Sequence, residues 1–290
     1  ASPEDGRFSR SKKQCDLWEF VWAASQMLGD VLLTVEAHRA AAADDAAQSV
    51  GRGLGGLRVL ELGAGAGLCS MVVAALCGAS VLATDGVADA VTLCALSAAS
   101  NGLPAGGGAV KSGVLDWFKT ESVPKAEFDL VIGSDILFFR GCVSPVAAAI
   151  NQALRPGGVA LISDPCRAST HDFCSKLAEH GLHVRLRPFD QQRLATLPVN
   201  ETVAARDGFV QHWGTQRGKL IWIEKTADGD RAASAGGVVA ATAARPLHCL
   251  RAATAIAVEE CCGPPDYEDG EVEWGSPVEA CTQAERSCRT

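Results

Sequence analysis

The stretch Val59-Leu60-Glu61-Leu62-Gly63-Ala64-Gly65-Ala66-Gly67 reads as the end of a short apolar strand, three glycines at alternate positions, and then a helix from Leu68. Glycine lets a backbone approach a ligand closely and turn sharply into the helix that follows. The spacing differs from the dinucleotide fingerprint G-x-G-x-x-G/A, because Gly67 comes one place early and Leu68 holds the expected slot. A pyrophosphate cradle is therefore less well supported. The Glu61 carboxylate just before the turn suits a cationic ligand better than an anionic one.

Outward from that turn the chain alternates strand and helix. Strands are predicted over 57–62, 80–84, 108–114 and 128–133. Three more are predicted over 159–163, 182–186 and 219–224, and Arg155-Pro156-Gly157-Gly158 reads as a turn. Helices are predicted over 68–77, 87–101, 143–154 and 170–180. Upstream, the apolar spacing from Cys15 to Val35 suits a helix with a broad buried face, followed by a helix end and Gly-rich loop over 37–56. Alternation of this kind builds a parallel sheet with helices on both faces.

Composition sets the outer bounds. The chain has 290 residues, of which 48% are hydrophobic and 21% charged, so a sizeable core can be buried and a wholly disordered chain is excluded. No run of 18 apolar residues exists, and no spanning helix is expected. The first residue is Ala1 and no charged-then-apolar leader follows it, so no signal peptide is expected and a cytoplasmic or nuclear setting is. The net charge of −8 argues against a general nucleic-acid binder. The 12 cysteines include no CxxC pair, and several lie in apolar segments, which points to free thiols in a reducing compartment and no bound zinc. Residues 1–14 are polar and read as mobile, 15–225 as a single folded domain, and 226–290, rich in Ala, Gly and acids, as a disordered acidic tail.

Two further signals follow the glycine turn at successive strand ends. Asp85 closes the second strand, 22 residues after Gly63, where an acid can accept both hydroxyls of a ribose. Asp116 and Trp117 follow the third strand; the first can bond an exocyclic amino group and the second can cover an adenine face. Ligands in such folds bind outside the carboxyl ends of the strands, so the three signals reinforce one another.

With those residues in order, residues 57–163 resemble a class I, S-adenosylmethionine-dependent methyltransferase. The resemblance implies a Rossmann-like, doubly wound α/β sheet of seven strands with the last one antiparallel, supplied by Lys219 to Glu224. It implies that Glu61, Gly63, Gly65 and Gly67 hold the methionine part of the cofactor, Asp85 the ribose, and Asp116 with Trp117 the adenine. The run Phe128-Asp129-Leu130-Val131-Ile132-Gly133-Ser134-Asp135-Ile136-Leu137-Phe138 is similar to the fourth-strand motif of the protein-lysine methyltransferases of family sixteen, a group that includes enzymes acting on calmodulin, elongation factors and chaperones. Asp135 and Phe138 match its Asp-x-x-Tyr/Phe signature, and Val21-Trp22-Ala23-Ala24-Ser25 resembles its N-terminal Val-Trp segment. Asp135 and Phe138 are thereby the expected catalytic pair: a carboxylate to orient an incoming amine and an aromatic wall for its channel. The resemblance also implies a partner protein bearing the target lysine, no nucleic acid or membrane partner, and a monomeric enzyme. A small-molecule N-methyltransferase and a catalytically silent cofactor-binding scaffold stay open as alternatives at this point.

Overall fold

Alternate side chains of the central strands enter two different apolar layers, and that alternation organises the molecule. Val59, Leu130, Ile132, Val159 and Leu161 point into one layer, and Leu60, Leu62, Val131, Ala160 and Ile162 into the other. Strands buried on both faces have this character in a parallel sheet covered by helices. The computed structural model describes residues 17–45, 54, 56–103, 110–165, 167–190, 218–226, 245–262 and 273–274.

The strands are β1 (Arg58–Leu62), β2 (Ser80–Asp85), β3 (Val110–Val114), β4 (Phe128–Ser134), β5 (Leu154–Asp164), β6 (His183–Pro188), β7 (Lys219–Glu224) and a two-residue β8 (Glu273–Trp274). Their order across the sheet is β3-β2-β1-β4-β5-β7-β6-β8. The first five run parallel, and β7 inserts antiparallel between β5 and β6. Seven strands with an antiparallel seventh match the expectation, and β8 adds a short antiparallel pairing on the edge of β6. Among the described residues, no helix is long and apolar enough to cross a membrane.

The helices are α1 (Ala23–Asp45), α2 (Leu68–Cys77), α3 (Ala88–Ser100), α4 (Val143–Ala153), α5 (Ser169–Glu179) and α6 (Arg245–Cys261). Side chains of α1, α2, α3 and α6 fill the first apolar layer, and those of α4 and α5 the second. Each central helix returns the chain to the same end of the sheet, so the carboxyl ends of β1, β2, β4 and β5 converge.

Three expectations differ from what is observed. The N-terminal helix begins at Ala23, after a short 3-10 turn at Leu17–Glu19. Phe20 and Trp22 meet edge-on instead, with ring centroids 6.2 Å apart. The Arg155-Pro156-Gly157-Gly158 segment lies inside β5 rather than forming a turn. There Gly157 takes a φ of 85° and donates its N–H to the Lys225 carbonyl at 2.9 Å, while the register against β4 slips between Phe128 and Leu130. The third concerns the tail. Residues 245–262 are not disordered: Leu250, Ala253, Ala257, Val258, Cys261 and Cys262 are buried in the first layer. The Cys261 thiol meets the Thr34 hydroxyl at 3.3 Å, and His38 pairs with Glu260 at 2.8 Å. The apolar stripe of α6 has a partner in α1, and burial on that partner offsets the cost of ordering the segment. The calls on residues 1–14, 227–244, 263–272, 275–290 and most of the loop 187–215 lie outside the described residues.

Candidate active site

The glycine turn is shaped by what presses on it. Gly63, Gly65 and Gly67 all have left-handed backbone, with φ of 65°, 52° and 84°. At two of them there is also no room for a side chain. A Cβ on Gly63 would stand 2.7 Å from Ile136 Cγ2 and 3.4 Å from the Trp117 ring, and one on Gly67 would stand 2.5 Å from Cys94 Sγ. The Ile136 contact matters for the site as a whole, because it sets the residue after Asp135 directly against the first glycine. The carbonyl of Trp18 approaches Gly65 from the N-terminal segment.

Glu61 is fully enclosed. The strand alternation puts it on the same face as Val59, beneath α2, and it is 1% exposed. Its Oε2 accepts the Ser70 backbone N–H at 3.0 Å and also the Ser70 hydroxyl. Helix α2 is preceded by Gly67, which has no side chain to cap it, so Glu61 satisfies a first-turn donor from the strand below. Burial pushes the Glu61 carboxyl up to about 7, against the lowering effect of the Ser70 bonds, and the neighbouring Asp85 adds to the rise.

Asp85 ties the same turn from the next strand. Its Oδ2 accepts the Gly65 N–H at 3.1 Å and its Oδ1 the Val87 N–H at 3.0 Å, ahead of α3. Burial raises its carboxyl above the usual range, opposed by those backbone donors. Asp116 stands after β3 and forms its own turn, with Oδ1 accepting the Phe118 N–H at 3.1 Å and Oδ2 lying 3.6 Å from Lys119 Nζ. Trp117 is 9% exposed and packs in the second layer, its ring against Gly63. Thus Glu61, Asp85, Trp117 and the three glycines meet around one turn, while Asp116 sits at its rim.

Asp135 follows β4 with a φ of 59°, a left-handed conformation that a non-glycine residue adopts at some cost. Its N–H is held by the Ser163 carbonyl at 2.9 Å, which fixes the bend between the ends of β4 and β5. The start of α1 is pinned there too, through Ser25 and Ser134 hydroxyls 2.7 Å apart and the Ser163 hydroxyl donating to the Ala24 carbonyl at 2.8 Å. The Val-Trp segment and the Asp-x-x-Phe segment are therefore neighbours. Phe138 lies on the outer rim, 40% exposed, 5.3 Å from Phe139, which stacks on Phe118 at 6.2 Å.

Two residues at this end were missed or undervalued in the sequence. Asp164, at the end of β5, is wholly buried and accepts from the Arg167 N–H at 2.8 Å and the Thr170 hydroxyl at 2.9 Å. Arg167 follows three residues after Asp164. Its guanidinium bridges Asp164 and Asp135. The i, i+3 spacing of Asp164 and Arg167 was the one available hint, and it does not foretell the contact with Asp135. Burial pushes the Asp135 carboxyl up to about 6, with Arg167 pulling it down and Asp164 pushing it up.

The carboxyl groups of Glu61, Asp85, Asp135 and Asp164 thus stand at or near the carboxyl ends of β1, β2, β4 and β5, with the tight glycine turn directly after β1. Among curated proteins, the chain is similar to a calmodulin-lysine N-methyltransferase of Arabidopsis thaliana, 33% identical over 133 residues, which is 44% of each protein. The match spans less than half the length of that relative. Among solved structures, it is similar to a Haemonchus contortus phosphoethanolamine N-methyltransferase in complex with S-adenosyl-L-methionine, at 16% identity and a TM-score of 0.44, covering 71% of this chain and 60% of that one. It is also similar to a geranyl diphosphate methyltransferase in complex with the same compound, at 16% identity and a TM-score of 0.45, covering 60% and 79%. At those scores neither structure bears on what this chain acts on. The family model described as lysine methyltransferase matches residues 7–180, which take in the glycine turn, Asp85, Asp116 and the whole Asp135–Phe138 segment, and the chain belongs to that family.

Proposed function

We propose that this chain is an S-adenosylmethionine-dependent methyltransferase that acts on the side-chain nitrogen of a lysine in a partner protein, working as a monomer. The observation that carries the reading is Asp135, held in a left-handed bend at the end of β4 with its neighbour Ile136 pressed on Gly63. This couples a candidate amine-orienting carboxylate to the candidate cofactor turn. Glu61 and the three glycines would hold the methionine part, Asp85 the ribose, and Asp116 with Trp117 the adenine. When bound, S-adenosylmethionine supplies an electrophilic methyl group.

The protein's own task is then to position an amine. A free lysine has a pKa of about 10.4, so the nucleophile reaches the site largely as an ammonium and must give up a proton before it attacks. Asp135, with a carboxyl near 6, is ionised at neutral pH and attracts that cation. As the proton leaves to solvent, the carboxylate accepts the remaining N–H bonds and aims the lone pair. Holding the amine in line is worth roughly 7–11 kcal/mol of barrier, so no covalent intermediate on the protein is required. The Phe138 ring at the rim offers a face that tolerates a methylammonium product through cation–π attraction.

The test is transfer of radiolabelled methyl from S-adenosylmethionine into a proteome extract, with Asp135→Asn and Gly65→Arg alongside. The expected result is an acid-stable label on a discrete protein, lost in both variants, with calorimetric cofactor binding retained in Asp135→Asn. Label confined to small molecules would overturn the protein-substrate reading. Cofactor binding with no label anywhere would overturn the enzymatic one.

A further inference from the structure

Asp135, on which the proposed function rests, does not stand alone, and the residue that holds it has no part in the reading above. Arg167 Nη1 lies 2.8 Å from Asp164 Oδ2, and the Arg167 backbone N–H also bonds Asp164, so this arginine is fixed at two points on a fully buried carboxylate. Its second terminal nitrogen reaches Asp135 Oδ1 as an ion pair. That oxygen is buried, so the guanidinium meets it away from bulk water. We propose that Arg167, anchored on Asp164, is a positioning residue that holds the Asp135 carboxylate in place and ionised for the substrate amine.

The anchoring explains the division of labour. Asp164 is already satisfied by the Thr170 hydroxyl and by Arg167, and it faces Lys219 across the β5–β7 pair. Arg167 can thus lend its outer nitrogen to Asp135 without leaving Asp164 uncompensated. A surface arginine would swing away, because an exposed ion pair is worth little against side-chain entropy. This one is half-buried and fixed by its own backbone. Among the described residues, the titratable and charged groups around the cluster include Arg167, Asp164, Lys219 and the buried Cys174 on α5. Burial raises the Asp135 carboxyl, and Arg167 is the chief influence holding it down.

The experiment follows Asp135 directly, so its outcome does not depend on the activity assigned above. In protein carrying 13C at the aspartate carboxyls, the Asp135 resonance is assigned by its loss in Asp135→Asn and followed against pH in the wild type, Arg167→Gln and Arg167→Lys. An adjacent opposite charge moves a carboxyl by about 1–3 pH units, so Arg167→Gln is expected to raise the midpoint by roughly one unit or more, and Arg167→Lys to restore part of it. The acid limb of methyl transfer into the proteome extract is expected to move by the same amount, with cofactor binding unchanged. An unmoved Asp135 midpoint in Arg167→Gln, in protein that still binds cofactor, overturns the proposal. A midpoint that moves while the transfer profile stays in place upholds Arg167 as the holder of Asp135 and overturns the part given to Asp135 in the reaction.

Discussion

Replacing Glu61 with glutamine is expected to stabilise the protein, and to do so more strongly as the pH rises. Glu61 is a carboxyl in an apolar layer, raised from an ordinary value of 4.5 to about 7 in the folded state. Between those two values the folded protein keeps a proton that the unfolded chain has released. Stability therefore falls as pH rises through that window and levels off above it. At 1.36 kcal/mol per pH unit the loss is about 3 kcal/mol. Glutamine does not titrate, and its amide oxygen still accepts from Ser70, so the variant escapes that loss. The gap between Glu61→Gln and wild type is expected to be small near pH 5 and to approach about 3 kcal/mol at pH 8. In thermal melts this is roughly 6–12 °C at 2–4 °C per kcal/mol. The measurement is a pair of urea or thermal series at several pH values; groups shared by both proteins cancel in the difference. A gap that stays constant with pH, or that closes as pH rises, would refute the reasoning. Calorimetry on the same variant adds a second reading. If Glu61 serves a cationic ligand, cofactor affinity falls while the empty protein gains stability, a trade-off typical of functional groups held in unfavourable surroundings.

Two further substitutions probe the frame. Gly67→Ala asks an alanine to adopt a φ of 84° and to share space with Cys94 Sγ. The backbone part costs about 1–2 kcal/mol and the overlap about 1–3 more. In a double-mutant cycle with Cys94→Ala, read by urea melts, the overlap part is expected to be recovered and the backbone part to persist; zero coupling would speak against the packing described. Leu250→Ala, on α6, is expected to cost about 2–5 kcal/mol, as for other fully buried leucines, and a change within experimental scatter would show that α6 does not pack on α1.

Much of the sheet was legible because period-two burial and the glycine turn are local signals. The strand 219–224 and the helix 68–77 were predicted to the residue. The departures share a physical cause: each depends on a partner distant in sequence. The tail reads as rich in Ala, Gly and acids over its 65 residues, and that composition hides a 17-residue helix whose stripe meets α1. Likewise, Arg155-Pro156-Gly157-Gly158 has the composition of a turn, but Lys225 offers it a backbone partner. At the site, sequence order brought out the acids at successive strand ends. It did not bring out that Glu61 and Asp85 are engaged with backbone donors of their own, nor that Arg167 bridges Asp164 to Asp135. Side-chain reach across strand ends leaves no trace in spacing.

The α1–α6 contact also bears on how the chain is made. Thr34 and Cys261 touch across 227 residues of sequence. Synthesis runs at about 5–20 residues per second, so roughly 10–45 seconds separate the appearance of these two partners at the ribosome. Through that interval β1 to β7 are made in turn, while the flank of α1 around Thr34 and Val35 still lacks α6. The nascent protein thus carries a sticky seam until its closing helix emerges, which makes this seam the natural place for a chaperone to hold and for premature release to end in aggregation.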